Sequence, residues 1–302
     1  MRTAFIQELI GQARRDPRVF LVVGDLGFSV VEPFAAEFPD RFLNAGVAEQ
    51  NMTAVAAGLA SEGYHVFTYS IGNFPTLRCL EQIRNDICYH RLPVTVVAVG
   101  AGLAYGNMGY THHAVQDIAA LRCLPRMTVF SPADPGETVG CVRLALARGG
   151  PSYLRLGKAG EPDLHPPAVL TEGPVQLRPG DGPVALVATG AVLRSALAAS
   201  DQLARRGLAV PVYSCPLLAA EYGPLYTPLW RHRSLIAVEE HGEAGGFGSF
   251  LKELAPPGVE IRLRGIPERN AGLVGSQDYH WREAGLDSAS LVALTLQLGA
   301  EA

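Results

Sequence analysis

The sequence predicts an α/β protein of two domains, each built on a mainly parallel sheet flanked by helices. Three observations carry this. Short Val-rich apolar runs alternate with helical patterns along the whole chain, as strands buried on both faces of a parallel sheet do. The alternation breaks once, in a stretch rich in Gly and Pro over 157–183, and then restarts. The 302 residues are enough for two domains of ordinary size, and 48 % hydrophobic against 18 % charged residues gives each a packed core.

The elements follow in order. MRTAFIQELIGQARRD opens the chain as an amphipathic helix without the apolar core of a signal peptide. Strands are expected at 19–25, 66–70, 94–100, 127–131 and 152–156, with helices at 47–61, 74–90, 114–123 and 136–148. Asp134-Pro135 reads as an N-cap followed by Pro at the first helical position. After a linker over 161–182, which includes a short strand at 169–177, strands are expected at 183–190, 209–214, 234–240 and 259–265. Helices are expected at 191–206, 246–255 and 281–298. The domains are therefore 1–160 and 183–302.

Several function classes fall away. A net charge of −4 with no run of Lys or Arg longer than two leaves no footprint for nucleic acid. No apolar stretch is long enough to span a bilayer. Five cysteines, an odd number without a CxxC pair, fit reduced thiols of a cytoplasmic protein better than a disulfide framework. No GxGxxG follows a strand, which argues against a dinucleotide site.

In open parallel sheets ligands sit beyond the carboxyl ends of the strands. GDLGFS (24–29), the aromatic segment after the second strand, GAGLAYGNMGYTHH (100–113) and Arg155 all fall there. Glu49 stands in the first turn of an Ala/Gly/Val-rich helix, where the helix dipole alone would favour a carboxylate. His112 and His113 lie side by side, but no third ligand stands at a metal-binding spacing.

GVAEQNM (46–52), EQIRND (81–86), GYTHHAVQDIAALR (109–122) and EEHGEAGGFG (239–248) resemble the transketolase family in order and spacing. The resemblance covers nearly the whole chain, as the pyrimidine-binding domain followed by the C-terminal domain. It implies a transferase that moves a two-carbon ketol unit with thiamine diphosphate. Glu49 matches the family glutamate whose carboxyl hydrogen-bonds the aminopyrimidine and stabilises its imino tautomer, so that the cofactor can activate itself. Phe74 matches the family's stacking phenylalanine, and Ile71 and Leu77 stand at two further positions of that pocket, which is thus less aromatic than usual. Asp25, followed by Leu26, matches an acid near the thiazolium or else shapes the strand-end turn. His112 matches an active-site histidine that faces substrate oxygens, with His113 beside it at a position often held by Gln. Arg2, Ser29 and Arg155 resemble positions that hold a substrate phosphate.

Two departures bear on substrate. The family's histidine twelve residues before His112 is Gly100 here, and the family's acid in the Gly-rich loop is absent from GNMG, which has Asn107 and Met108. Ordinary pentose phosphates are therefore less favoured as substrates.

The resemblance also implies what the chain does not carry. The family's diphosphate signature is GDG followed by an Asn. Gly180-Asp181-Gly182 precedes a strand rather than following one, and beyond residue 107 only Asn270 remains, too far away. A separate N-terminal subunit is expected to bring the diphosphate domain and the Mg²⁺ ligands, in an α2β2 heterotetramer. The rival readings are a beta-type subunit of a 2-oxo-acid decarboxylase or dehydrogenase, and a non-catalytic scaffold. The glycines of EEHGEAGGFG are expected to serve close packing between C-terminal domains of a dimer rather than anion binding.

Overall fold

The computed structural model describes residues 1–164 and 172–301. The first sheet has seven strands in the order β10-β5-β6-β4-β3-β1-β2, and the second has five, in the order β12-β11-β8-β9-β7. The first-sheet strands are β1 (Val19–Val23), β2 (Phe42–Asn44), β3 (His65–Ile71), β4 (Val94–Val99), β5 (Thr128–Phe130), β6 (Ser152–Leu156) and β10 (Leu217–Leu218). The second sheet takes β7 (Val175–Arg178), β8 (Val184–Thr189), β9 (Val212–Ser214), β11 (Ser234–Glu239) and β12 (Glu260–Arg264). All pairings are parallel except β10 on β5 and β7 on β9.

The helices are α1 (Arg2–Ala13), α2 (Glu32–Glu37), α3 (Glu49–Ser61), α4 (Leu80–Gln82), α5 (Asp117–Arg122), α6 (Pro135–Arg148), α7 (Leu193–Ala204), α8 (Phe247–Leu254), α9 (Gln277–Ala284) and α10 (Ser288–Glu301). Asp134 caps α6 by accepting from the Glu137 N–H at 2.8 Å, with Pro135 at the first turn.

Alternation along the strands explains the layers. Phe20, Val22, Val66, Val94 and Val96 face α3, where Met52, Ala56 and Ala60 meet them. Val19, Leu21, Val23, Phe67 and Val97 face α1 and α6 through Phe5, Leu9 and Val142. The α3-side core continues without a break into Ala185, Val187, Ala237 and Phe247 of the second sheet. The two sheets are therefore joined through shared apolar packing.

Several local expectations are revised. The helix expected over 74–90 is a 3₁₀ turn (Leu77–Cys79), the short α4 and a π-helical turn (Ile83–Cys88). The single last helix is two, α9 and α10, parted at Gly285 in the left-handed conformation (φ 70°). Leu217–Leu218 leave the second half of the chain to pair with Val129–Phe130 at the edge of the first sheet. Of the strand expected over 169–177, residues 175–177 belong to β7, and 165–171 lie outside the described residues.

Among the described residues no helix is long and apolar enough to cross a membrane.

Candidate active site

The site lies at the carboxyl ends of β1, β3 and β4. Glu49 opens α3, and its side chain is 2 % exposed. Its Oε2 accepts a hydrogen bond of 2.7 Å from Nη1 of Arg78. Arg78 comes from the 3₁₀ turn after β3 and is 47 % exposed. The guanidinium carbon lies 4.5 Å from the centroid of Phe74. The other flank of Phe74 meets His112 edge-on, with centroids 5.5 Å apart and planes at 71°. Glu49, Phe74 and His112, far apart in sequence, thus form one continuous wall, with Arg78 as a member that sequence spacing did not single out.

The loops that carry these groups are tied together. Asn73 donates from Nδ2 to the His113 carbonyl at 2.9 Å, which ties the Phe74 turn to the histidine loop. His112 Nδ1 is 3.0 Å from the Thr111 hydroxyl, which leaves Nε2 as the nitrogen available to a substrate. Ile71 ends β3, and its carbonyl accepts from the Phe74 N–H at 3.0 Å. Asp25 stands in the left-handed region (φ 55°) and exchanges hydrogen bonds with the Asn44 side chain, at 3.1 Å through its N–H and 2.9 Å through Oδ1. This holds the turn after β1 in shape, with Leu26 half-buried in it. Ser29 is exposed, and its N–H donates to Glu32 Oε1 at 2.8 Å.

Two expected substrate residues are buried among internal partners. Arg155 is 2 % exposed and spent on internal partners. Its Nε bonds Asp117 Oδ2 at 2.7 Å, and Nη2 donates to the carbonyls of Ala114 and Glu240 at 2.7 and 2.8 Å. A cation in the middle of a strand buried on both faces needs this set of acceptors, and through them Arg155 ties the two halves of the chain together. His113 is 1 % exposed and turns away from His112. Its Nε2 lies 3.3 Å from the Gly106 carbonyl, and its ring packs edge-on against His280 at 5.1 Å. Burial pushes the His113 imidazole below the ordinary histidine range, which keeps it neutral.

Arg2 is half-buried rather than a solvated terminal residue, and its Nε has no partner among the described residues. It adjoins Tyr69, whose phenol is pushed well up by burial while Arg2 pulls the other way. A Cβ at Gly27 would stand 2.9 Å from the same Tyr69 ring, so Arg2 and the 24–29 turn converge there. The departure at Gly100 has a steric reason. A Cβ there would stand 2.3 and 2.5 Å from carbons of the Tyr105 ring. A loop aromatic therefore fills the space that a side chain at position 100 would take.

Chain 239–248 uses its polar groups internally. Glu239 accepts from the N–H groups of Phe247 and Gly248 at 2.6 and 2.9 Å, so the N-terminus of α8 already holds a carboxyl. Burial pushes Glu239 up to about 8. Glu240 accepts from the Leu103 N–H and from Gln277 at 2.9 Å each, across the junction of the two halves. A Cβ at Gly245 would stand 2.7 Å from that of Ala119. Within the chain, Gly242 and Gly245 serve the packing of one half on the other, while Gly246 and Gly248 pack within the second half against Glu239, His241 and Leu263.

With this geometry in hand, comparison with known proteins decides the family. The pyrimidine-binding domain of transketolase matches residues 1–160, and the transketolase C-terminal domain matches residues 173–261. The chain belongs to the transketolase family. An apulose-4-phosphate transketolase subunit of Actinobacillus succinogenes is 33 % identical over 273 residues, which is 89 % of this chain and 88 % of that protein. The 1-deoxy-D-xylulose-5-phosphate synthase of Thermomicrobium roseum is 36 % identical over 97 % of this chain but only 47 % of its own length. Among solved structures, a split gene transketolase, described as an inactive beta4 tetramer, superimposes with a TM-score of 0.84 at 31 % identity, covering 98 % of this chain and 96 % of that one. This transketolase-family chain thus corresponds to the C-terminal subunit of split enzymes, a transferase subunit.

The residues present fit the family's cofactor. A buried carboxyl lies next to a half-buried aromatic face, and Ser70 Oγ and Asn73 Oδ1, from the same strand end and turn, have no partner among the described residues. Among the described residues no group of three or more His, Cys, Asp or Glu could hold a metal ion.

Proposed function

We propose that this chain is the C-terminal subunit of a thiamine diphosphate-dependent transketolase-like enzyme that transfers a two-carbon ketol unit, active with a separate subunit that binds the diphosphate and Mg²⁺. The observation that carries the reading is the wall of Glu49, Phe74 and His112: a buried acid, an aromatic face and a histidine with one engaged nitrogen. Thiamine diphosphate, when bound, supplies the carbon nucleophile. Glu49 hydrogen-bonds the pyrimidine ring nitrogen and holds a proton there. Phe74, with Ile71 beside it, gives the ring an apolar face. Asp25 and Leu26 border the thiazolium side. His112 moves a proton at Nε2 to and from substrate oxygens. Arg2 and Ser29 hold the distal end of the substrate, as a smaller clamp without Arg155.

A partner subunit is supported by the name of the Actinobacillus relative, which makes it one subunit of a transketolase, and by the split-gene structure, whose beta4 form is described as inactive; the assembly we propose is α2β2. A cytoplasmic location accords with four buried free cysteines, Cys79, Cys88, Cys141 and Cys215, and one exposed, Cys123. We take the domains as 1–160 and 183–302 with a connection over 161–182, within which β7 (Val175–Arg178) joins the second sheet.

A second reading is favoured by one observation, the 36 % identity to a 1-deoxy-D-xylulose-5-phosphate synthase. In that reading the chain is a beta-type subunit of a 2-oxo-acid decarboxylase or dehydrogenase, and the donor is a 2-oxo acid. Combining the chain with its partner subunit, thiamine diphosphate and Mg²⁺, and offering ketose phosphates and pyruvate as rival donors, separates the two. Ketose turnover without release of carbon dioxide supports ketol transfer, and turnover of pyruvate alone rejects it.

A further inference from the structure

Arg78 makes both of the contacts that the pyrimidine reading assigns to a ligand. Its guanidinium lies against the Phe74 ring at 4.5 Å and hydrogen-bonds the buried Glu49 carboxyl at 2.7 Å. A guanidinium and an aminopyrimidine are both flat, both carry N–H donors at an edge and both suit an aromatic face. We propose that Arg78 is a placeholder for the aminopyrimidine: it makes the same contacts to Phe74 and Glu49 and must move aside for the ring to enter. The proposal rests on the reading of Glu49 and Phe74 as the pyrimidine site.

The energetics suit such a role. A carboxylate as buried as Glu49, left without a partner, would carry a desolvation penalty of several kcal/mol. Arg78 removes that penalty through its ion pair with Glu49. Its own side chain is 47 % exposed, so it can withdraw into water at little cost. Arginine keeps its charge at any working pH, so it vacates the site by moving and not by losing a proton. The 3₁₀ turn that carries it, Leu77–Cys79, is short, and its neighbour Cys79 is anchored by a 3.3 Å contact from Sγ to the Phe74 carbonyl. The backbone can therefore stay in place while the side chain swings. Cofactor binding then includes the work of displacing Arg78, and removing it should tighten binding.

The test titrates the chain assembled with its partner subunit with thiamine, and separately with thiamine diphosphate and Mg²⁺, by calorimetry, for wild type, Arg78→Met, Arg78→Gln and Glu49→Gln. Thermal unfolding of each variant checks that it is folded. The proposal expects Arg78→Met to bind thiamine about five-fold more tightly than wild type or better, with Glu49→Gln binding more weakly. If Arg78→Met does not fold, Arg78→Gln is read in the same way. Weaker or unchanged binding by the Arg78 variants, alongside weaker binding by Glu49→Gln, overturns the placeholder and leaves the pyrimidine site standing. Unchanged binding by Glu49→Gln, or no binding by any form at millimolar thiamine, rejects the site reading and the placeholder with it.

Discussion

The Tyr105 ring occupies the volume that a side chain at Gly100 would need, with ring carbons 2.3 and 2.5 Å from a Cβ built there. Gly100 also has φ +94°, a conformation that L side chains rarely adopt. Gly100→Ala therefore meets two separate penalties, overpacking and backbone strain, together about 2–4 kcal/mol. Tyr105→Ala in the same chain should return the overpacking part and leave the strain. Denaturant unfolding of the two single variants and the double variant measures this coupling, and additive losses would contradict it.

Arg155 and Asp117 form a pair with side chains 1 % and 0 % exposed. Breaking it from one side leaves a buried charge uncompensated. Arg155→Met should cost about 3–5 kcal/mol in chemical denaturation. Arg155→Lys should lose much of the same, because an ammonium cannot reproduce the fork that binds Asp117 and the carbonyls of Ala114 and Glu240. A variant with unchanged stability and a raised KM would restore Arg155 as a substrate residue.

The two histidines should separate cleanly. His113→Asn loses an inward-packed ring and should lower stability by about 1–3 kcal/mol. His112→Asn should leave the unfolding midpoint almost unchanged and lower kcat about 10²-fold or more in the assembled enzyme. The reverse pattern would exchange their roles.

Glu239 sets a pH dependence of stability. Its folded pKa, about 8, lies above the unfolded value near 4.5, so the folded state holds a proton that the unfolded state has lost. Stability should fall as pH rises between these values, by up to about 1.4 kcal/mol per pH unit. Glu240 is raised by burial as well and acts in the same direction. Glu239→Gln should flatten the slope between pH 5 and 8, and a slope unchanged in that variant would contradict the assignment.

Much of the fold was legible because buried parallel strands write themselves as apolar runs. The strand expected at 152–156 is β6 to the residue, and Asp134-Pro135 caps α6. Leu217–Leu218 was not legible, because a two-residue edge strand carries no period. Glu49, Phe74 and His112 were legible only as matches to a family pattern, since their proximity follows from strand order. Arg78 was missed because a cation in a helical run looks like a solvated surface residue. Arg155 was expected among the substrate residues from its match to a family position and its place at a strand end. Yet its strand is buried throughout, and that pattern already required an internal partner.

Glu49 is expected to act on the cofactor within a two-subunit site. Steady-state turnover of a ketose donor by the chain assembled with its partner subunit, thiamine diphosphate and Mg²⁺ tests it, wild type against Glu49→Gln. The expected result is activity for the wild-type assembly, none for the chain alone, and a loss of about 10²-fold or more for Glu49→Gln at equal cofactor saturation. Full turnover by Glu49→Gln would contradict the assignment of Glu49, and full activity of the chain alone would contradict the divided site.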